Sequence, residues 1–343
     1  MASHEMDARK ERILRAIIDD YILTAMPVGS RTISRKYETS LSSATIRNEM
    51  SDLEALGYLE QPHVSAGRVP SVKAYRLYVD DLIAGGPGSF PKDDEAWDCF
   101  SRCLLQQEDA ALSAAQALCE RTRMTSLVMM PSQPGMRIAT LQLVPMPRGA
   151  ALLVMVTDSG LVRDTVLHVS ESLDPDALYA ISRSMTEAFA GRSVQEVQRM
   201  LTAYASQGGA EQRVLDGVRT LAEQMARQAS EDTVYVDGAH NILNFPEYAD
   251  VQKARAFLSV MESRRRLLNL IREDPSFITV RIGDELSLPE ISDCSMITVR
   301  FGLGGYHGLL GVIGPARMPY RQTICALTTI SRSMTELFSA QRS

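Results

Sequence analysis

Residues Leu41–Ser71, LSSATIRNEMSDLEALGYLEQPHVSAGRVPS, decide the reading of the first eighty residues. Ser42 is a candidate N-cap. After it, Ile46, Met50, Leu53 and Leu56 recur at spacings of three and four, the apolar stripe of one helix over 43–56. Gly57 is a natural left-handed terminator. Tyr58-Leu59-Glu60-Gln61 reads as a short strand, Pro62 to Gly67 as a polar connection, and Arg68-Val69-Pro70 as the returning strand. Prolines in both arms predict an edge ribbon with little capacity for further pairing.

Working outward, Ile13, Leu14, Ile17, Ile18, Tyr21 and Ile22 form an earlier helical stripe that ends near Ala25-Met26-Pro27. Gly29-Ser30 supplies a turn and a candidate cap for a short helix over Arg31–Tyr37. Beyond the ribbon, Tyr75, Tyr78, Val79 and Leu82 make a further helix. Helix, helix, turn, helix, ribbon, helix is the element order of a winged helix-turn-helix, which we place at residues 1–84. A bland three-helix bundle explains the stripes equally well but has no need of the ribbon.

In that reading the helix over 43–56 enters the major groove. A step of 100° per residue places Ala44, Asn48 and Ser51 opposite the buried stripe, flanked by Thr45 and Arg47. Arg47 suits guanine and Asn48 adenine, each by a bidentate pair, while Ser43 and Ser51 can bond base or phosphate and Ser42 is counted among the candidate DNA contacts. Arg31, Arg35 and Lys36 would hold phosphates and set register, with Ser30 counted among the candidate DNA contacts. His63, Ser65 and Arg68 on the ribbon are placed to touch backbone or minor groove. The alternative for each is a solvated side chain on an exposed face.

Charge neither supports nor excludes this. The chain of 343 residues carries 36 Lys and Arg against 42 Asp and Glu, net −6. Residues 1–80 are neutral, and 31–76 hold seven basic and five acidic side chains. DNA binding needs a positive face, not a basic protein. With 45% hydrophobic and 23% charged residues, composition excludes a disordered or collagen-like chain. The longest apolar run, Ala150–Val156, is too short to span a bilayer, and the polar Met1–Arg12 stretch does not read as a signal peptide. The expectation is a cytoplasmic protein that does not engage a membrane.

Gly85-Gly86-Pro87-Gly88-Ser89 with Pro91 marks a linker at 85–92. Asp93–Arg123 then reads as helical. Strands follow at 126–130, 137–144, 150–157 and 161–169, then four helical stripes between about 171 and 275. Strands resume at 277–282, 296–301 and 309–313, and a helix over 324–338 closes the chain. Strands, a helical block and strands again predict an α+β multidomain chain: one domain from 93–170 and 276–343, with 171–275 inserted. Two consecutive domains are the alternative.

Other signals carry less. Five scattered cysteines make no disulfide framework, and Cys99 and Cys103 lack a second ligand pair for zinc. Gly302–Gly308 fits no phosphate-loop or dinucleotide fingerprint and reads as a hairpin turn. His240 has no nucleophile in a recognisable elbow. Arg264-Arg265-Arg266 reads as a solvated helix face. No cofactor, metal site or enzyme activity is expected.

The segment Pro27-Val28-Gly29-Ser30-Arg31-Thr32, the run Leu41–Ser71 and Tyr75-Arg76-Leu77-Tyr78-Val79-Asp80 together resemble the HrcA family of heat-inducible transcription repressors. The resemblance continues through Asn241-Ile242-Leu243, Pro246-Glu247, Ile282-Gly283-Asp284-Glu285 and the run 311–320, GVIGPARMPY. Ser43, Val64 and Ala74 depart from the family pattern, where Pro, Thr and Gly are usual. The resemblance implies a winged helix, a GAF-like domain and a dimerising domain inserted into it. It also implies repression of chaperone operons through an inverted-repeat operator, CIRCE, bound as a homodimer and released on heating, with the GroEL chaperonin maintaining activity. Reading an inverted repeat itself argues for a two-fold dimer. One rival is a winged-helix repressor controlled by a small ligand in the GAF-like domain; the other is an enzyme using the C-terminal domain.

Overall fold

The computed structural model describes residues 6–63, 66–106, 109–132, 136–158, 162–169, 175–203, 210–230, 232–271, 276–303 and 306–340. The first helix, α1 (Ala8–Thr24), is capped by Asp7, whose carboxylate accepts the Arg9 and Lys10 amides, and ends at Ala25 in the left-handed region. α2 (Ser30–Lys36) starts one residue earlier than expected, with Gly29 rather than Ser30 at its N-cap. α3 (Ser43–Ala55) is capped by Ser42 Oγ, which accepts the Thr45 amide at 3.1 Å. β1 (Leu59–Glu60) and β2 (Val69–Pro70) form an antiparallel ribbon of two residue pairs. α4 (Val72–Ile83) is capped by Ser71, whose hydroxyl also donates to Gly57 O at 2.7 Å. Of the apolar stripes read from sequence, Ile13, Leu14, Ile17, Ile18, Ile46, Met50, Leu53, Tyr75 and Val79 are buried, with Ile33 of α2 beside them, while Tyr21, Ile22, Leu56, Tyr78 and Leu82 are only partly covered.

The helix expected over 93–123 is two, α5 (Asp94–Gln106) and α6 (Ala110–Thr122), because Asp109 accepts the Ala111 and Leu112 amides and starts a second one. β3 (Thr125–Met130) follows. Next come three strands, β4 (Ile138–Met146), β5 (Ala150–Thr157) and β6 (Val162–His168), in one antiparallel sheet of order β4-β5-β6. Three helices complete this segment: α7 (Pro175–Phe189), α8 (Val194–Ala203) and α9 (Ala210–Ser230). The chain resumes with β7 (Thr233–Asp237), α10 (Val251–Met261), α11 (Arg264–Ile271), β8 (Ile278–Ile282), β9 (Cys294–Leu303), β10 (Tyr306–Pro315) and α12 (Tyr320–Ala340).

Two compact units result. One comprises 1–129, 234–301 and 309–334; the other comprises 130–233 with 302–308 and 335–343. The division therefore runs at 129/130 and 233/234, whereas 170/171 and 275/276 were expected. The reason is packing. One face of the β4-β5-β6 sheet, with Leu141, Leu143, Leu153 and Met155, shares a core with Leu178, Val197, Val218 and Leu221 of α7–α9. Strand periodicity shows that a strand exists but not which helices cover it. The edge strand β4 is covered as well: Ser182 Oγ accepts the Leu143 amide at 2.7 Å, and Thr186 Oγ1 bonds both the amide and the carbonyl of Leu141.

The other unit holds a five-stranded sheet of order β7-β3-β10-β9-β8. Leu127, Met129, Met296 and Ile313 pack against Phe257, Val260, Leu267 and Leu270 of α10 and α11. Ser126 Oγ donates to Ala115 O in α6, and Ser331 Oγ of α12 donates to Arg300 O in β9.

The segment 85–92 is no free linker. Phe90 is buried, Arg332 donates to Pro87 O, and the Asp93 amide donates to Thr329 Oγ1 at 2.9 Å. Glycine and proline announced the turn; a single aromatic side chain fixes it to the core. Gly304 and Gly305, expected at a hairpin tip, lie outside the described residues, but the strands on either side of them are sheet neighbours.

Candidate nucleic-acid interface

α3 presents two faces. Ile46, Met50 and Leu53 point inward. On the opposite face Ala44, Arg47, Asn48 and Ser51 are exposed, with Ser42 exposed and Ser43 and Thr45 half-buried at the helix start. The hydroxyls there are partly used: Ser42 Oγ and Thr45 Oγ1 lie 2.9 Å apart, and Ser51 Oγ donates to Arg47 O at 3.1 Å. Arg47 makes no ion pair among the described residues, and neither do the exposed Arg31 and Arg35 of α2. His63 is exposed on the ribbon side; Val64 and Ser65 lie outside the described residues.

Three of the expected contact residues are placed differently. Ser30 is buried at the start of α2, because that turn packs inward. Lys36 Nζ donates to Asp20 Oδ1 at 2.8 Å, and this bond holds its ammonium above the ordinary lysine range. Arg68 is turned onto α3: its Nε and Nη2 lie 2.9 and 2.8 Å from Glu54 Oε2.

α3 is fixed from behind by pairs that sequence reading missed. Lys10 Nζ of α1 lies 3.2 Å from both Glu49 Oε2 and Asp52 Oδ2, and hydrogen bonds to these carboxylates raise its pKa. Arg9 reaches Glu49 as well, at 3.5 Å. Lys73 Nζ of α4 donates to Leu56 O at 2.8 Å and sits 4.3 Å above the Tyr58 ring. The one available signal was position: Glu49 and Glu54 flank the buried Met50–Leu53 stripe, at the edge of the helix that meets its neighbours.

A second set of residues joins α4 to the five-stranded sheet. Arg76 Nη1 donates to Val280 O at 2.7 Å and lies 3.1 Å from Glu285 Oε2, which also accepts the Ile282 amide. Arg317 is held by both oxygens of Glu247, stands 5.6 Å over the Phe245 ring, and donates to Ile22 O in α1 at 3.2 Å. Tyr75 and Tyr78 pack on Tyr320 with ring centroids 5.9 and 6.3 Å apart. Burial pushes Tyr75 well above its ordinary value, and burial together with the Asp19 carboxylate pushes Tyr78 up to about 12. Tyr75-Arg76, Pro246-Glu247, Gly283-Asp284-Glu285 and Arg317–Tyr320 are scattered over 240 residues of sequence and meet at this seam.

Comparison with known proteins finds relatives over nearly the whole chain. The family described as "HrcA protein C terminal domain" matches residues 108–324. The heat-inducible transcription repressor HrcA of Clostridium tetani is 38% identical over 342 residues, covering 97% of this chain and 96% of its own. That of Thermoanaerobacter pseudethanolicus is 35% identical over 337 residues, 98% of each chain. A crystal structure described as that of a hypothetical protein superposes with a TM-score of 0.75 at 23% identity, covering 98% of this chain and 99% of that one, a likeness of fold. These relatives are named as heat-inducible transcription repressors. With identity at this level over nearly its whole length, the chain belongs to the HrcA family of heat-inducible transcription repressors.

Proposed function

We propose that residues 1–84 act as a winged helix whose α3 lies in the major groove of an inverted-repeat operator of the CIRCE type, and that the protein binds it as a homodimer in the cytoplasm. The observation that carries this reading is the outer face of α3: Ala44, Arg47, Asn48 and Ser51 stand exposed opposite a fully packed stripe, beside Arg31 and Arg35, which make no ion pair among the described residues. Such a helix offers base-reading groups from its first two turns and phosphate contacts from the helix before it. Ser42, Ser43, Thr45 and His63 extend the same surface. Arg and Asn side chains that the fold does not use are available to guanine and adenine edges.

The unit at 130–233 is the dimerising element in this proposal. What supports it is the outer face of its sheet, where cross-strand rows Val144–Leu152–Val166 and Val156–Val162 leave Val144, Met146, Val162 and Val166 exposed. An apolar sheet face of this kind suits an isologous contact with a second copy. The five-stranded unit takes the GAF-like role. Loss of repression on heating follows from partial unfolding of one of these units, and the GroEL-type chaperonin restores the active form.

Fluorescence anisotropy of a labelled inverted-repeat duplex against a scrambled one, with and without chaperonin, tests the reading. The expected outcome is tight binding to the repeat alone, strengthened by chaperonin. Equal weak binding to both duplexes under every condition would overturn it. Val166→Glu should leave a folded monomer by sedimentation and cost most of the affinity for the two-half-site duplex.

A further inference from the structure

We propose that Arg68 is a positioning residue for operator binding and not a phosphate contact: with Glu54 it fixes the angle between the β1–β2 ribbon and α3. The proposal rests on the operator-binding reading above and assigns a role within it.

The ribbon is too short to hold its own orientation. It has two residue pairs, Leu59↔Pro70 and Glu60↔Val69, and proline in the second arm removes a donor. Its placement must come from ties to the rest of the domain: Leu59 and Pro70 are buried, Ser71 bonds Tyr58 O and Gly57 O, and Arg68 adds ties to two further elements. The backbone of Arg68 is bridged to the α1–α2 loop: its amide donates to Val28 O at 2.9 Å and the Val28 amide donates to Arg68 O at 2.8 Å. Val28 is buried, so this bridge is anchored in the core. Gly67 allows the approach, because a Cβ there would stand 2.4 Å from Val28 O, a backbone atom that cannot move aside. The side chain completes the tie by placing both Nε and Nη2 on one oxygen of Glu54, in the last turn of α3. Ribbon, α1–α2 loop and α3 are thus joined through one residue.

The Arg68 side chain is mostly covered, with 18% of it exposed. Glu54 takes the Nε hydrogen and one Nη2 hydrogen, so a phosphate would meet a guanidinium whose charge is already offset by a carboxylate. As a tie it instead decides whether ribbon and α3 reach the duplex together. A point charge is a poor substitute in that role, since Lys lacks the planar fork that meets Glu54 through two nitrogens.

The two roles give opposite results for Glu54→Gln. Removing a negative charge near DNA strengthens binding on electrostatic grounds alone. If Arg68 contacts phosphate, Glu54→Gln also frees it, so affinity should rise. If Arg68 positions the ribbon, affinity should fall. We therefore expect Glu54→Gln and Arg68→Gln in the full chain each to weaken binding to the inverted-repeat duplex about tenfold, with the double variant no weaker than either single one. Such non-additivity is the mark of a coupled pair. The slope of log affinity against log salt should match the wild type in all three, and Arg68→Lys should resemble Arg68→Gln despite keeping the charge. Melting temperature, read alongside, confirms that each variant is folded. Tighter or unchanged binding by Glu54→Gln would overturn the assignment. So would a salt slope reduced by about 0.9 per bound half-site in Arg68→Gln, the value for one lost phosphate contact, or full rescue by Lys. A wild-type chain with no preference for the repeat would overturn the operator-binding reading itself, a result distinct from all of these.

Discussion

Residues 31–76 carry seven cations, and the fold treats them in two ways. Arg31, Arg35 and Arg47 stand on the outer side of α2 and α3 without an ion-pair partner among the described residues. Lys36, Arg68, Lys73 and Arg76 are each matched, by Asp20, Glu54, the Leu56 carbonyl with the Tyr58 ring, and Glu285 with Val280 O. Both groups look alike in composition. The difference teaches which positive charges are structural and which are left for an outside anion. A cation already held by a partner within the fold, as the covered Arg68 is by Glu54 and the more exposed Lys36 is by Asp20, has less to gain from phosphate, whereas one left in water can release counterions from a phosphate backbone. The contrast predicts that changes on the matched side alter stability or the placing of elements and leave the salt slope of operator binding unchanged, and that changes on the unmatched side alter the contacts with the operator themselves.

The largest effect should come from the matched side, at Arg317. Its guanidinium holds Glu247 and reaches Ile22 O, with only 13% of its side chain exposed. Arg317→Ala leaves the Glu247 carboxylate half-buried and uncompensated and removes the stack on Phe245. We expect a loss of about 2–3 kcal/mol in chemical denaturation, below the full range for a completely buried pair. The salt slope of operator binding by the folded variant should not change. A variant as stable as the wild type would show that this seam is held by its apolar contacts alone.

Arg47 is the counterpart on the open side. Arg47→Ala should cost about 1–3 kcal/mol of operator affinity and relax preference at one base pair if it reads a guanine. Its melting temperature should stay at the wild-type value, since no ion pair is lost. Unchanged affinity would remove Arg47 from the base readers and leave Asn48 as the main candidate.

The two sides were not equally legible in the sequence. Helix periodicity placed α1, α3 and α4 and the outer face of α3, because an amphipathic helix writes both of its faces into local spacing. Turn residues placed the ribbon. The matched side depends on partners 14 to 209 positions away, such as Glu54 for Arg68 and Glu285 for Arg76, and nothing local distinguishes those arginines from Arg47. For the same reason Arg68 reads as a DNA contact from sequence and as an α3 tie in the structure. The unit boundary moved from 170/171 to 129/130 because sheet membership is a long-range choice, and the 85–92 segment is anchored by Phe90, a single residue inside an otherwise turn-like stretch.

Alkaline pH gives a smaller test of the seam. The Tyr78 hydroxyl donates to Asp19 at 3.0 Å, and burial with that carboxylate raises its folded pKa to about 12. A raised value means the fold favours the protonated phenol. The associated stability is complete below the ordinary tyrosine value near 10 and is lost as pH climbs through about 12. Tyr78→Phe should cost about 1 kcal/mol at neutral pH through the missing hydrogen bond. It should also unfold less steeply than the wild type between pH 10 and 12, when followed by circular dichroism. Equal steepness would assign the alkaline loss to other tyrosines that burial also raises, among them Tyr75, Tyr248 and Tyr320.

The smallest effect should be at Arg35, and it is the most diagnostic of the contrast. Arg35 is exposed on α2, unpaired, one position before Lys36, which is tied to Asp20. If unmatched cations meet phosphate, Arg35→Gln should weaken repeat and scrambled duplexes equally, by well under tenfold at physiological salt. It should also lower the salt slope by about 0.9 for each half-site bound. Lys36→Gln, one residue along, should leave that slope unchanged, because its ammonium already has a carboxylate. Equal slope changes from the two neighbours would mean that the Asp20 pair opens on the DNA, so that a single surface pair of this kind does not decide which cations the operator can use. An effect at Arg35 alone would show that a partner within the fold, more than position along the helix, separates structural charge from recognition charge.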